Sequence, residues 1–124
     1  MLDFKNASFL KLRAVKKDSF DKHINQLIIP GESVIGAFQG IRDGVVFTTK
    51  RVIAINVQGM TGKKKDYSSL PYNRIQAYAI ETSGVFDLDS ELELWFSGLG
   101  KIRFEFTSGS DIPAICRFIS EKIL

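Results

Sequence analysis

RDGVVFTTKRVIAINVQGMTGKKK, the stretch Arg42–Lys65, decides the fold of this chain. It contains two runs rich in Val, Ile, Phe and Thr, residues Val45–Thr49 and Val52–Val57, which are separated by Lys50 and Arg51. These residue types suit a pleated, half-buried surface, and neither run contains Pro or Gly. The glycines of Gly59–Gly62 can adopt the positive φ of a tight reversal after the second run. The stretch therefore predicts three consecutive antiparallel strands in the middle of a small all-β domain.

Length and composition favour one globular domain with its own core. The chain has 124 residues, of which 44% are hydrophobic and 25% are charged, close to average globular usage. A single cysteine, Cys116, excludes an internal disulfide and fits a reducing compartment. Apolar runs fall short of the roughly 20 residues of a membrane-spanning helix. Because Met1–Asn6 also lacks the apolar segment of a signal peptide, we expect a cytoplasmic protein.

The first 30 residues predict an N-terminal helical extension, and the domain proper is predicted over residues 31–124. Asp18 or Ser19 can cap a helix that is stopped by Pro30-Gly31. Its apolar residues follow helical spacing: Phe20, Ile24, Leu27 and Ile28. Phe4–Val15 is also interpreted as helical, although its apolar residues form no single stripe.

From Ser33 onward the apolar period is two, which predicts seven strands. They are Ser33–Gln39, Asp43–Thr49, Lys50–Val57, Lys64–Leu70, Arg74–Thr82, Glu91–Ser97 and Lys101–Thr107. The last two alternate most clearly and are joined by Gly98-Leu99-Gly100, which predicts a hairpin. Phe104 is expected to be buried between the sheets, because it shares one face with Ile102 and Phe106.

A C-terminal helix follows, capped by Ser110 or Asp111. Its apolar stripe is Ile112, Ile115, Cys116, Ile119 and Ile123. Phe118 lies beside the stripe, so it either widens the buried face or contacts another subunit. Seven antiparallel strands in two bent sheets need a helix over the open end of their core. This order of elements is that of a mainly β, pleckstrin-homology-like (PH-like) barrel.

Several short motifs recur at a distinctive spacing along the chain: Gly31-Glu32, Arg42-Asp43, Val46-Phe47-Thr48, Lys50-Arg51, Gly59, Thr61-Gly62-Lys63-Lys64, Pro71-Tyr72, Ile75 and Glu81–Asp87. In these residues the chain resembles the bacterial pleckstrin-homology family. The resemblance implies the PH-like fold and a ring-shaped homo-oligomer, and most family members have no assigned activity. The loop Gln39–Asp43 carries one base beside one acid, whereas eukaryotic phosphoinositide-binding relatives cluster Lys and Arg there. The inositol-phosphate pocket is therefore predicted to be absent.

Charge is distributed unevenly along the chain, whose net charge is +3. Lys50–Arg74 contains six bases and one acid, and Ile75–Ser97 contains five acids and no base. Opposite patches of this kind favour head-to-tail association into a closed homo-oligomer larger than a dimer. Alternatively, the two patches are solvated faces whose opposite charges cancel within one folded chain. The predicted interface residues are Glu91, Glu93, Trp95 and Phe118.

The sequence gives little support for a catalytic, metal-binding or cofactor-binding motif. In Gly59–Lys64, a P-loop would need Ser or Thr after Lys63, and Lys64 stands there. In the segment from Asp87, an EF-hand would need Gly at the position of Leu92. That segment is interpreted as a turn, with a weak surface cation site as the alternative. One histidine and a cysteine within the apolar stripe indicate no nucleophile–base pair, so we predict no enzyme, metal or cofactor.

The sequence thus favours a non-enzymatic binding or scaffolding module that forms a ring and recognises a protein or peptide. The predicted ligand-binding residues are Arg42, Lys50, Arg51, Lys63, Lys64 and Lys65. The alternative is a peripheral membrane module that uses this basic patch against anionic lipid. Nucleic-acid binding is disfavoured, because the stacked aromatics of an OB-fold or ribonucleoprotein motif are missing.

Overall fold

A computed structural model describes residues 1–5, 7–58, 60–82, 89–107 and 110–124. This part of the chain contains eight strands, two α-helices and one 3₁₀ turn at Tyr72–Arg74. The strands are β1 Ser8–Val15, β2 Val34–Gln39, β3 Gly44–Thr48, β4 Arg51–Gln58, β5 Lys64–Pro71, β6 Ile75–Thr82, β7 Ser90–Phe96 and β8 Gly100–Phe106. The helices are α1 Asp21–Ile24 and α2 Ile112–Ile123.

The strands form one curled sheet in the order β5-β4-β3-β2-β1-β8-β7-β6. β1 holds its two halves together, because its first residues pair in parallel with β8 and its last residues pair antiparallel with β2. Ser8 lies opposite Arg103, whereas Val15 lies opposite Ala37. The other neighbouring strands are antiparallel. The prediction of seven antiparallel strands in two sheets is therefore corrected to eight strands in one sheet for the described residues, and the parallel β1–β8 pair joins the two halves of that sheet.

The predicted N-terminal helical extension is also wrong, and the reason lies in β1. Phe9 and Leu12 are both buried, three residues apart, because the pairing with β8 shifts between them and Lys11 adopts a φ of 53°. A bulge of this kind breaks the two-residue period of a strand. The segment therefore presents neither a clean strand pattern nor a clean helix pattern. The predicted helix after Asp18 is reduced to the four residues of α1.

Two apolar clusters lie on opposite faces of the sheet. The main cluster fills the concave face and is rich in phenylalanine, including Phe104 at 0% exposure. The second cluster packs Phe20 and Ile24, from around α1, onto the other face of β2–β4. β3 is consequently buried along its whole length. Burial on both faces explains why the central stretch is continuously apolar rather than alternating.

The predicted β7–β8 hairpin and C-terminal helix are confirmed. Leu92, Leu94 and Phe96 face inward against the alternate residues of β8, and Leu94 lies opposite Ile102. The Asp111 side chain accepts a hydrogen bond from the Ala114 amide at 3.3 Å and thereby caps α2. Burial raises the pKa of the Cys116 thiol to about 11, despite the opposing charge of Arg117, so this thiol is protonated and unreactive at neutral pH. Within the described residues, no helix is long and apolar enough to cross a membrane.

The N-terminal residues complete the main core. Leu2 and Phe4 are buried in it, and the Phe4 carbonyl accepts a hydrogen bond from the Lys101 amide at 3.3 Å. The Met1 amino group contacts the Asp66 carboxylate. This hydrogen bond lowers the pKa of Asp66, outweighing the effect of its desolvation. The N-terminal residues are thus anchored to β5 and β8.

Candidate functional site

A buried carboxylate, Glu32, organises one end of the β3–β4 pair. Its side chain is 0% exposed and receives two hydrogen bonds from the Arg51 guanidinium, both at 2.9 Å. Thr48 donates its hydroxyl to the same carboxylate at 2.5 Å, and the Ile29 amide donates at 3.2 Å. Burial raises the pKa of Glu32, but the hydrogen bonds from Arg51, Thr48 and Ile29 outweigh it, so the pKa lies below its ordinary value. The carboxylate is therefore ionised and fully engaged.

We call Glu32, Thr48, Arg51 and Tyr72 the Glu32 cluster. The other polar groups of Arg51 and Tyr72 also form hydrogen bonds within the chain. Arg51 donates to the Ser69 hydroxyl at 2.9 Å and contacts the Leu27 carbonyl oxygen. Tyr72 is buried and donates its hydroxyl to the Thr48 carbonyl at 2.8 Å. Burial, together with the charge of Glu32, raises the pKa of Tyr72. Arg51, predicted as a ligand-binding residue, therefore joins segments of the fold, and a ligand would have to compete with Glu32 for it.

The predicted basic patch is divided between two ends of the sheet. Arg51 lies opposite Pro71 at one end of the β4–β5 ladder, and Gln58 lies opposite Lys64 at the other. An eight-residue strand such as β4 is about 23 Å long between these ends. Lys50 therefore lies far from Lys63–Lys65. The six predicted residues do not form one contiguous site.

Arg42 and Lys63–Lys65, by contrast, share one end of the molecule. Asp43 accepts a hydrogen bond from the Val57 amide at 2.9 Å, which ties the β2–β3 loop to β4. A side-chain nitrogen of Arg42 lies 3.8 Å from the position that a Cβ would take at Gly62. The β2–β3 and β4–β5 loops are therefore neighbours.

Three exposed apolar residues accompany these bases. Ile41 is 80% exposed, Met60 is fully exposed and Leu10 is half exposed. Leu10, Ile41 and Arg42 line one depression of about 230 Å³. We call the set Leu10, Ile41, Arg42, Met60 and Lys63–Lys65 the loop end. The sequence gives no signal for Leu10, and Ile41 and Met60 differ from core residues only by their place near the loop glycines Gly40 and Gly62.

The outward face of β6–β8 holds three of the predicted interface residues. Glu93 pairs with Lys101 at 2.9 Å, and Glu91 lies 3.8 Å from Arg103. These two carboxylates are therefore partly neutralised within the chain. Trp95 is 47% exposed and lines a shallow depression of about 320 Å³ with Ala77, Ala79 and the Glu93–Lys101 pair.

Phe118, the fourth predicted interface residue, widens the buried face of α2. Its ring packs against Tyr72 with 5.4 Å between ring centroids, and the Lys122 ammonium lies 5.2 Å from its centroid. Phe118 is thus a half-buried neighbour of the main core.

Carboxylates accumulate at one end of the β6–β8 face. Glu91 lies directly opposite Glu81 on one side and Glu105 on the other, so three acids form a row across three strands. Like charges placed opposite one another disfavour the isolated sheet. Within the described residues, no group of three or more His, Cys, Asp or Glu side chains is placed to hold a metal ion. The weak cation site considered at Asp87 lies outside the described residues.

A groove of about 410 Å³ runs between β2 and α2. Ile35 and Gly36 line it from the sheet, and Ala114 and Ile115 line it from the helix. β1 pairs with β2 only at residues Ala37–Gln39, and Val34–Gly36 lie beyond the end of that pairing. A Cβ at position 36 would lie 3.3 Å from the Ile115 side chain, so glycine allows the close approach of strand and helix.

The family model for the bacterial PH domain matches residues 3–123. This chain belongs to the bacterial pleckstrin-homology family. It is 45% identical over 93 residues to the uncharacterized protein YjqA of Bacillus subtilis (strain 168), covering 75% of this chain and 70% of that protein. A crystal structure of a DUF1696 family protein with a pleckstrin-homology domain from Shewanella loihica has a TM-score of 0.79 and 37% identity, covering 92% of this chain and 98% of the other. The pleckstrin-homology domain of Shewanella amazonensis has a TM-score of 0.66 at 37% identity, covering 89% and 90%.

In this bacterial PH domain, several residues that carried the resemblance meet in the Glu32 cluster. Glu32, Thr48, Arg51 and Tyr72 come from four separate motif segments and are joined by side-chain hydrogen bonds. These motif residues therefore stabilise the fold. A PH domain is generally a binding module.

Proposed function

We propose that this PH domain is a non-enzymatic binding and scaffolding module that recognises an extended peptide segment of a partner protein. The groove between β2 and α2 supports the proposal. Val34–Gly36 lie beyond the end of β1, so an extended peptide can continue the sheet alongside them. Backbone hydrogen bonds would supply affinity, and alternate side chains of the peptide would enter the groove.

The lining of the groove suits a peptide with small or branched apolar residues. Its floor is apolar, with Ile35, Ala114 and Ile115, whereas Lys17 and Asp111 place opposite charges on its rim. The groove has a volume of about 410 Å³, and Gly36 places no side chain in it where the strand approaches Ile115. A peptide that alternates apolar and polar residues matches this arrangement.

Peptide display against the immobilised 124-residue chain tests this proposal. Peptides enriched on the unmodified protein should bind it in fluorescence anisotropy and should not bind the variant Ala114→Trp, whose indole fills the groove. Arg117→Trp is the control for adding an indole to α2, because Arg117 is exposed and does not line the groove. Failure to enrich peptides, or equal binding to Ala114→Trp, would contradict peptide recognition in this groove.

We also propose that the domain associates with copies of itself into a ring larger than a dimer. Trp95 supports this, because a half-exposed tryptophan flanked by exposed Ala77 and Ala79 is typical of the centre of a protein interface. The acidic row Glu81, Glu91 and Glu105 would be relieved by bases of a neighbouring copy. Lys50 and Arg74 are exposed near the start of β4 and offer such bases. A contact between unlike surfaces is head-to-tail, and it closes into a ring when the rotation allows it.

Sedimentation velocity at micromolar concentration tests the assembly. The unmodified chain should sediment as a species larger than a dimer at low ionic strength and should dissociate in part at high ionic strength. Trp95→Ala should shift the distribution toward the monomer, whereas Leu124→Ala, a change at another exposed apolar residue, should leave it unchanged. A monomer at every concentration and low salt would contradict the proposal.

A further inference from the structure

We propose that the outward face of β6–β8, together with the start of β1, binds a nucleoside phosphate, with its base on Trp95 and its phosphate between Lys5 and Arg103. The inference goes beyond peptide recognition, because the β2–α2 groove shares none of these residues. Trp95 also supports the proposed ring, so a bound nucleotide and a neighbouring copy compete for this face.

The first support is that two depressions meet on this face. The shallow depression beside Trp95 has a volume of about 320 Å³, and a second one of about 240 Å³ adjoins it. Glu93 and Lys101 line both depressions. The second depression is also lined by Lys5, Ser8 and Arg103. We call this set the outer-face site: Lys5, Ser8, Glu93, Trp95, Lys101 and Arg103.

The strand register holds the members of the outer-face site next to one another. Trp95 lies directly opposite Lys101 on β8, and Glu93 lies opposite Arg103. Arg103 in turn lies opposite Ser8 on β1. Neighbouring strands are about 4.8 Å apart, so the site extends over roughly 10 Å from β7 to β1. This span is comparable with the length of a nucleoside phosphate from its base to its phosphate group.

The second support is the charge of the site, which contains three bases and one acid. Lys101 pairs with Glu93 at 2.9 Å, whereas Arg103 lies 3.8 Å from Glu91, which is longer than a hydrogen bond. The side chains of Lys101 and Arg103 are 55% and 44% exposed, so both remain accessible. Among the described residues, Lys5 forms no ion pair. A net positive charge therefore remains, and charge-assisted hydrogen bonds from such bases recognise phosphate.

The third support is the order of the groups across the site. Trp95 is 47% exposed, and the small side chains of Ala77 and Ala79 beside it leave room for a base to stack on the indole. Glu93 lies between the indole and the bases, where a carboxylate accepts hydrogen bonds from ribose hydroxyls. Indole, carboxylate and bases thus follow the order of base, sugar and phosphate in a nucleotide.

The same face favours a single nucleotide over a nucleic-acid strand. A strand binds through aromatic side chains on which successive bases stack, whereas Trp95 offers a surface for one base. The acidic row Glu81, Glu91 and Glu105 borders the site and would repel the phosphates of a strand that continued across it. The ligand class is therefore a free nucleoside phosphate.

Calorimetric titration of the 124-residue chain with adenosine monophosphate (AMP) tests the inference. AMP should bind, and adenosine, inorganic phosphate and phenyl phosphate should bind at least about tenfold more weakly, because each lacks a part that the site recognises. AMP should also quench the fluorescence of Trp95, the single tryptophan.

The titrations are made at a protein concentration at which sedimentation velocity shows the monomer, so that competition with a ring does not mask binding. If assemblies persist at every concentration, AMP should shift the sedimentation distribution toward smaller species, and inorganic phosphate should not. The variant Ala114→Trp, which fills the peptide groove, should bind AMP like the unmodified chain. Failure of peptide recognition or of ring formation is thus distinguishable from failure of nucleotide binding.

Substitutions at the site, each with a matched control, separate specific binding from general attraction. Arg103→Gln and Lys5→Gln should each weaken AMP binding about tenfold or more, because each removes a charged hydrogen-bond donor. Trp95→Leu should weaken it about fivefold or more through the loss of stacking. Arg117→Gln removes an exposed base on α2, and Ile29→Ala truncates an exposed apolar side chain elsewhere. Both control proteins should bind AMP like the unmodified chain.

Several results would overturn the inference. The first is no binding of AMP to the monomer and no effect of AMP on assemblies. Inorganic phosphate or phenyl phosphate binding as tightly as AMP would show a plain anion site instead of a nucleotide site. An equal loss of affinity in Arg117→Gln would show non-specific charge attraction, and full affinity in Trp95→Leu would show that the base does not stack there. Much tighter binding of an adenylate oligonucleotide than of AMP would assign the face to a nucleic-acid strand.

Discussion

Replacing Glu32 with Gln should destabilise the domain strongly, because it removes the charge that Arg51 faces. The carboxylate side chain is 0% exposed and Arg51 is 18% exposed, so the pair is largely excluded from water. Breaking a buried pair by removing one partner costs about 3–5 kcal/mol. Since Arg51 keeps some contact with solvent and with Ser69, we expect the lower end, about 3 kcal/mol. A loss of this size is a large fraction of the roughly 5–15 kcal/mol that stabilises an ordinary domain.

Equilibrium unfolding in urea, followed by far-ultraviolet circular dichroism, measures this loss. The midpoint should fall while the slope of unfolding free energy against urea stays constant, because the fold itself is retained. Arg51→Met should cost a similar amount, and Glu32→Gln combined with Arg51→Met should cost much less than the sum of the two. Lys50→Met is the control: Lys50 is adjacent in sequence but exposed, and its replacement should change stability by under about 0.5 kcal/mol.

A loss below about 1 kcal/mol for Glu32→Gln, or simple additivity with Arg51→Met, would refute a structural role for the cluster. The same measurements bear on function. If Arg51 acts only by stabilising the fold, its replacement should lower the apparent affinity for any ligand only in proportion to the fraction of unfolded protein.

Other predictions follow from the pKa shift, the core and the glycines. Because the pKa of Glu32 is lowered in the folded chain, its ionised carboxylate contributes stability that is fully present above pH 4.5, its ordinary pKa, and is lost as the pH falls through the folded pKa. Urea unfolding measured over a series of acid pH values should show this loss of stability. In Glu32→Gln, this part of the pH dependence should be missing. Phe104→Ala should cost about 3–5 kcal/mol in urea unfolding, because the ring is fully buried, and a loss under about 1 kcal/mol would contradict its place in the core. Gly100→Ala should lower the thermal midpoint of unfolding, since φ is 130° and the new Cβ would lie 2.7 Å from the Phe4 carbonyl oxygen. In the control Gly98→Ala, the new Cβ meets no atom within 4 Å, so only the positive φ should lower the midpoint. An unchanged midpoint in Gly100→Ala would contradict the close approach of Phe4.

The regular elements could be predicted from the sequence wherever one face is buried and the backbone is uninterrupted. β7 and β8 alternate without a break, and α2 keeps one apolar stripe behind a capping Asp111, so local pattern and tertiary environment agree. The family could also be recognised from the sequence, because its residues recur in short motifs. The failure occurred at β1, where the irregularity between Phe9 and Leu12 removes the periodicity on which such predictions depend.

The candidate sites depended on the tertiary structure much more than the elements did. Glu32 and Arg51 are 19 residues apart in the sequence, so their ion pair leaves no signature in the local sequence pattern. Because of this pair, a ligand would have to compete with Glu32 for Arg51. Lys50 and Lys63–Lys65 are close in sequence but are held at opposite ends of the β4–β5 ladder. The exposure of Ile41 and Met60 is likewise a property of loops that the fold turns outward. Periodicity records which face of an element is buried, whereas the joining of distant residues is set by strand register and chain reversal, which only the folded chain determines.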